Sequence, residues 1–215
     1  MKKLSVIVLF LIAFLNLKAQ EAPFYKEIQY FKKKDSLDFP PKKAVLFIGS
    51  STFTKWTDVQ TYFPNHTIIN RGFGGSSLPN LIYYIKDIVY PYNPKQVVIY
   101  CGENDFTGGA TAQVIADRVK QLFSLIREKY PKVPITYISI KPSPSREKYW
   151  KEMVAANQLI VELIAKTKRA NFINTYDAMF NPDGKIMTDI FLADNLHMNA
   201  KGYAIWVKIM EPYLK

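Results

Sequence analysis

The sequence predicts a three-layer α/β/α sandwich built on a five-stranded parallel sheet, and three observations carry that expectation. Five short runs rich in aliphatic and β-branched residues recur along the chain: AVLFIG (44–49), HTIINRG (66–72), QVVIYCG (96–102), ITYISI (135–140) and ANFINT (170–175). They have the length and composition of strands. The stretches between them place apolar residues at helical spacing. The strand runs are also mostly continuous in their apolarity, as strands covered on both faces are, and crossover helices of this length join parallel neighbours.

The elements follow in order along 215 residues, a length that suits one domain with a proper core. MKKLSVIVLFLIAFLNLKAQ opens the chain with two lysines, an apolar run from Leu4 to Leu15 and a small residue, Ala19, where a cleavage site belongs. This layout predicts a signal peptide over residues 1–20 and export of the remaining domain, 21–215, to the periplasm or the medium. The apolar run is short for a membrane span, so no stable membrane insertion is expected after cleavage; the alternative is an uncleaved N-terminal anchor. Residues 21–42 form a leading segment closed by FPPKK, whose prolines exclude a regular helix at that point. After the first two strands, SLPNLIYYIKDIVY reads as a helix, as do AQVIADRVKQLFSLIREKY after the third strand and REKYWKEMVAANQLIVELIAKTK after the fourth. A last helix, AKGYAIWVKIMEPYL, closes the chain. Repeats and low-complexity segments are absent.

The net charge is +11, and it stays strongly positive without Lys2, Lys3 and Lys18 of the leader. No aromatic-basic nucleic-acid motif accompanies runs such as KKK at 32–34, so these read as a solvated face and no nucleic-acid partner is expected. Cys101 is the only cysteine. No intrachain disulfide is possible, and Cys101, ending an apolar strand, reads as a buried passenger.

In an open parallel sheet the working site lies beyond the carboxyl ends of the strands. There the sequence places Gly49-Ser50-Ser51, then NRGFGGSS (70–77), then CGEND (101–105), and, ahead of the last helix, LADNLHMN (192–199). A serine hydroxyl needs a general base, and the base needs a partner to fix its tautomer. Of the two histidines, His66 precedes a strand and falls at the opposite edge, where a surface role suits it. His197 follows Asp194 by three residues, close enough for the carboxylate to orient the ring. Asn104 offers a side-chain amide, and Gly72, Gly74 and Gly75 allow backbone N–H groups to approach a substrate. Each feature alone is an ordinary turn or helix lead-in. Their coincidence at one sheet edge points to acyl transfer.

Other chemistries lack their parts. GFGGSS lacks the third glycine of a dinucleotide loop and follows the second strand, no Walker lysine pattern occurs, and no G-x-S-x-G elbow is present. One cysteine and two separated histidines are a poor supply of metal ligands, so no metal is expected.

These blocks resemble the SGNH (GDSL-type) hydrolase family, of which the chain looks like an exported bacterial member. The likeness covers nearly all of the chain after residue 20. The family's Gly-Asp-Ser block resembles Gly49-Ser50-Ser51, which implies Ser51 as nucleophile. Its second block falls on Gly75 of NRGFGG, its Gly-x-Asn-Asp block on Gly102-Glu103-Asn104-Asp105, and its Asp-x-x-His block on Asp194 and His197. Ser50 stands where the family carries aspartate, a departure that leaves the orienting acid, Asp194, untouched. The resemblance implies a flavodoxin-like sheet and two-step ester hydrolysis through a Ser51-His197-Asp194 triad. The oxyanion would be held by the N–H groups of Ser51 and Gly75 and the Asn104 amide, and no cofactor would be needed. A helix opening at Ser51 would add its dipole there.

The expected substrates are short acyl esters, chiefly acetyl groups on carbohydrate, because the stretches between blocks are short and offer no lid or acyl tunnel. KPSPSREKYW (141–150) follows the fourth strand, which brings Lys141, Arg146, Tyr149 and Trp150 toward a polar alcohol, although both aromatics also suit a helix core. The alternatives are a lysophospholipase or other lipolytic acylhydrolase, and a glycan-binding module that kept the fold without turnover.

Overall fold

The apolar runs become strands because each can be buried on two faces at once. In the computed structural model, which describes residues 21–215, the chain runs α1 (Tyr25–Leu37), β1 (Val45–Gly49), α2 (Ser51–Thr54), α3 (Val59–Tyr62), β2 (Ile68–Gly72), α4 (Leu78–Tyr83) and α5 (Ile85–Ile88). It continues through β3 (Gln96–Tyr100), α6 (Glu103–Thr107), α7 (Ala112–Lys129), β4 (Ile135–Ile138), α8 (Trp150–Ala165), β5 (Ala170–Ile173) and α9 (Ala200–Met210). The signal peptide expected over 1–20 lies outside the described residues. All strand pairs are parallel, in the order β2-β1-β3-β4-β5. This is the expected three-layer α/β/α sandwich.

Alternate residues of one strand feed opposite layers. Leu46 and Ile48 of β1 join Val97 and Ile99 of β3 in a core closed by α1, α4, α5, α7 and α8. Val45, Phe47, Val98 and Tyr100 face the other way, against α2, α3 and α9, where Phe53, Trp56, Tyr203 and Trp206 are fully or nearly buried. The chain leaves β1 in one direction to form β2 and crosses back to form β3 on the other side. The switch point of the sheet therefore lies between the carboxyl ends of β1 and β3, where a crevice is expected.

The helical run after β2 is broken into α4 and α5 at Tyr84, whose ring turns into the core and whose hydroxyl donates to the Pro23 carbonyl at 2.8 Å. The leading segment contains a helix, α1. It is fixed to the edge of the sheet by Asp35, which accepts from the buried Arg71 and, at 2.6 Å, from the Tyr92 hydroxyl. Among the described residues no helix is long and apolar enough to cross a membrane.

Candidate active site

Gly49 ends β1 so close to β3 that a Cβ there would lie 2.0 Å from the Tyr100 carbonyl oxygen. Only glycine permits that approach, and it lets the Ser50 N–H donate to the same carbonyl at 3.2 Å. Ser50 is then extended and stands at the N-cap position of α2 without a side-chain capping bond, so that Ser51 takes the first helical position, at the switch point. The helix is a single turn of four residues. It orients the first N–H groups but aligns too few peptides for the dipole expected from sequence.

His197 reaches Ser51 from the last loop. Asp194 Oδ1 accepts the backbone N–H groups of Leu196 and His197 at 3.0 and 2.9 Å, and Asn195 between them is left-handed, with φ 53. Asparagine tolerates that region. The turn brings Asp194 Oδ2 to 2.6 Å from His197 Nδ1, while Nε2 lies 2.9 Å from Ser51 Oγ. Desolvation alone would raise the Asp194 pKa, but the hydrogen bonds from the His197 ring and from the two backbone N–H groups outweigh it and hold the carboxyl well below the usual range. An ionised carboxylate only accepts, so Nδ1 carries the proton and Nε2 presents its lone pair to the Ser51 hydroxyl. Asn199 fixes the far side of the loop: it caps α9 at Lys201 and Gly202 and donates to the carbonyls of Asp189 and Phe191.

The donors converge from two further strand ends. Asn104 Nδ2 donates to Ser76 O at 3.0 Å and to Ser50 Oγ at 2.8 Å. The turn carrying Gly75 is tied to β1 by the Phe73 N–H and the Ser76 hydroxyl, both on the Gly49 carbonyl. Gly75 has φ 81, a conformation that favours glycine. Among the described residues no acceptor engages the N–H of Ser51 or of Gly75. Ser51, Gly75, Asn104, Asp194 and His197 therefore assemble from four separate segments of sequence, the last two from one loop.

Beside Ser51 lies a cavity of about 10 Å³, lined by Ser50, Thr52, Asn104, Lys141 and His197 among others. That is room for roughly one water. Among the described residues no cluster of His, Cys, Asp or Glu could hold a metal ion. His66 is far from this edge and bonds the chain's last residues, through Lys215 O and Glu211. Cys101 is 1% exposed, and burial pushes its thiol pKa up.

The KPSPSREKYW segment departs from expectation. Lys141 is 1% exposed and turned inward onto Glu103. Trp150 donates to Ser143 O and packs on Phe180, and Tyr149 stacks on Phe106. Arg146 is partly exposed, as Tyr149 and Trp150 are, and its Nε lies 4.0 Å from Glu103. The buried Glu103 was missed from sequence. The sequence carries only a faint signal for it, an acidic residue just beyond β3 and a lysine just beyond the neighbouring β4.

The GDSL-like Lipase/Acylhydrolase family matches residues 43–205. No curated protein matches the chain. Among solved structures, a protein from Streptococcus pneumonia superposes with a TM-score of 0.78 at 22% identity, over 88% of this chain and 92% of its own. A GDSL-like lipase from Bacteroides thetaiotaomicron VPI-5482 gives a TM-score of 0.71 at 21% identity, over 86% and 96%. An acetyl esterase mutant, solved with acetate ion, gives 0.61 at 17%, over 79% and 94%.

Proposed function

The chain belongs to the GDSL-like lipase/acylhydrolase family, whose members hydrolyse esters, and from that premise we propose that it is a serine esterase working through Ser51, His197 and Asp194. The observation that carries this reading is the unbroken line from Asp194 through His197 to the Ser51 hydroxyl, at 2.6 and 2.9 Å. Ser51 Oγ attacks the acyl carbon as Nε2 takes its proton, and the imidazolium so formed is stabilised by Asp194. The N–H groups of Ser51 and Gly75 and the Asn104 amide hold the oxyanion. The imidazolium then protonates the departing alcohol, which leaves an acyl-enzyme on Ser51. Water, deprotonated by Nε2, attacks that ester and releases the acid, and Ser51 recovers its proton.

The acyl group we assign is short, most simply acetyl, and the alcohol a carbohydrate hydroxyl. The enclosed cavity beside Ser51 has room for roughly one water and offers no space for a long acyl chain. The fold neighbour that is an acetyl esterase adds an analogy of architecture. The leader-like first twenty residues support a location outside the cytoplasm, in the periplasm or the medium, where such esters occur. A lipolytic acylhydrolase is the second reading. It draws on an apolar groove of about 400 Å³ between Tyr30 and Phe31 of α1 and Phe73, ahead of Gly75.

A fluorophosphonate probe tests the assignment of the nucleophile. One adduct on Ser51, with loss of both labelling and ester hydrolysis in Ser51→Ala at an unchanged melting temperature, is the expected result. An adduct on Ser50, or hydrolysis surviving in Ser51→Ala, overturns it.

A further inference from the structure

Two charged side chains sit against the proposed active site and take no part in the chemistry just given. Glu103 is 7% exposed and Lys141 1%. Removing two charges from water costs several kcal/mol for each, and their attraction repays it only with good geometry and further hydrogen bonds. Here the geometry is good. Lys141 Nζ lies 3.1 Å from Glu103 Oε2, the Tyr100 hydroxyl donates to the same oxygen at 2.7 Å, and the Ser143 hydroxyl approaches Oε1 at 3.5 Å. A hydrophobic pair would fill the same space at less cost, so the position of the pair invites a functional reading.

That position is specific. Lys141 Nζ makes its shortest bond, 2.8 Å, to the backbone carbonyl of Leu196, the residue before His197. Glu103 is the residue before Asn104. Among the described residues the Leu196 carbonyl has no other donor. The Lys141 bond therefore fixes the peptide plane joining Leu196 to His197, and that plane sets the direction in which the imidazole leaves the backbone. Asp194 holds the same turn from its outer side, through the N–H groups of Leu196 and His197. The loop is thus gripped from solvent by a carboxylate and from the interior by an ammonium. A nucleophile and base displaced by about 1 Å lose on the order of a hundredfold in rate.

We propose that Lys141, held by Glu103, is a positioning residue for His197, and that the pair registers the histidine loop against the strand end carrying Asn104. This rests on the esterase reading above. The pair acts through backbone, so its loss is expected in turnover far more than in substrate affinity.

The test compares Lys141→Met with the double variant Glu103→Met/Lys141→Met, measuring melting temperature together with kcat and KM on p-nitrophenyl acetate. Lys141→Met leaves the buried Glu103 with only Arg146 Nε, at 4.0 Å, as a cationic neighbour, and both stability and kcat are expected to fall. The double variant removes both charges, so its melting temperature is expected to return close to wild type. Its Leu196 carbonyl still lacks a donor, and kcat is expected to stay about 10- to 100-fold down with KM within about threefold. A double variant that recovers both stability and kcat overturns the proposal and leaves the pair a feature of packing alone. Should the double variant not fold, Glu103→Gln/Lys141→Met takes its place, since it also lacks a buried carboxylate, keeps an acceptor for the Tyr100 hydroxyl and removes the donor to Leu196: a kcat loss of threefold or more at constant KM supports the role, and a smaller loss refutes it. Wild-type protein is carried in parallel. Inert wild type sinks the esterase reading itself, whereas active wild type with an undiminished double variant sinks only the role of Lys141.

Discussion

Replacing Asn104 by alanine separates an oxyanion donor from a turn residue, and the structure sets the size of the effect. Both N–H bonds of the Asn104 amide are engaged at rest, one by the Ser76 carbonyl and one by the Ser50 hydroxyl. The carbonyl is backbone and orients the amide. The Ser50 hydroxyl is a neutral acceptor that must be given up, at least in part, when the N–H turns to a developing oxyanion. Oxyanion-hole donors are worth about 2.7–4 kcal/mol, or roughly 100- to 1000-fold in kcat. Surrendering one neutral hydrogen bond, worth about 1 kcal/mol net, pulls the expectation to the lower end, about 100-fold. The loss falls on kcat with KM little changed, because the interaction is made in the transition state. Ser50→Ala is the control: it removes only the competing acceptor, so activity should stay within about fivefold of wild type, the equivalent of one neutral bond. The assay is steady-state hydrolysis of p-nitrophenyl acetate, with melting curves to show that the fold is kept. A kcat for Asn104→Ala within threefold of wild type, at equal stability, refutes the reasoning and returns Asn104 to the turn.

Asp194→Asn should cut kcat strongly while the protein still folds, since the carboxylate orients the imidazole from a partly exposed loop; a collapse of the melting temperature would make the acid structural. Because the Asp194 pKa is depressed in the folded state, the stability it contributes is present above the unfolded value of about 3.9 and is lost as pH falls toward its lower folded value. The stability gap between wild type and Asp194→Asn should therefore narrow as pH falls below about 4, which urea melts from about pH 5 downward will show; a gap that stays constant through that acid range contradicts it. Cys101, buried and with its thiol pKa raised, should resist a thiol reagent in native protein at pH 8 and react once per chain after denaturation. On substrate length, kcat/KM should fall from acetyl to butyryl to octanoyl esters of one alcohol, and a preference for octanoyl would promote the lipolytic reading and assign the acyl chain to the α1 groove.

The sheet was legible because its central strands are apolar on both faces, and Ser51, Gly75 and Asn104 because they lie close behind strand ends; Asp194 and His197, far beyond β5, stood out because the chain has only two histidines. Nothing comparable marks α1. Ile28 is its one buried residue, and lysines and exposed tyrosines surround the rest, so no periodic stripe announces a helix. The break at Tyr84 is equally silent in the sequence, since apolar spacing continues through it and only the Pro23 carbonyl, far off in the chain, explains the turn. Lys141 shows the general difficulty most clearly. A lysine after a strand, beside prolines and serines, reads as exposed, and this one is interior because Glu103 lies just beyond the neighbouring strand and the Leu196 carbonyl arrives from a loop 55 residues later.

Ser50 and Glu103 together suggest why the aspartate expected of the first block is dispensable here. The Asn104 amide needs an acceptor to hold it at rest, and a serine hydroxyl at 2.8 Å provides one without placing a second full charge beside the forming oxyanion. Negative charge near that edge is instead kept one residue away, on Glu103, and neutralised there by Lys141. On this reasoning Ser50→Asp would set a carboxylate without a cationic partner against the oxyanion, where like charges repel. The carboxylate would also grip the Asn104 N–H more firmly than a hydroxyl does. Both effects oppose transfer of that N–H to the oxyanion, so in this chain's surroundings the residue the family usually carries is the less favourable choice.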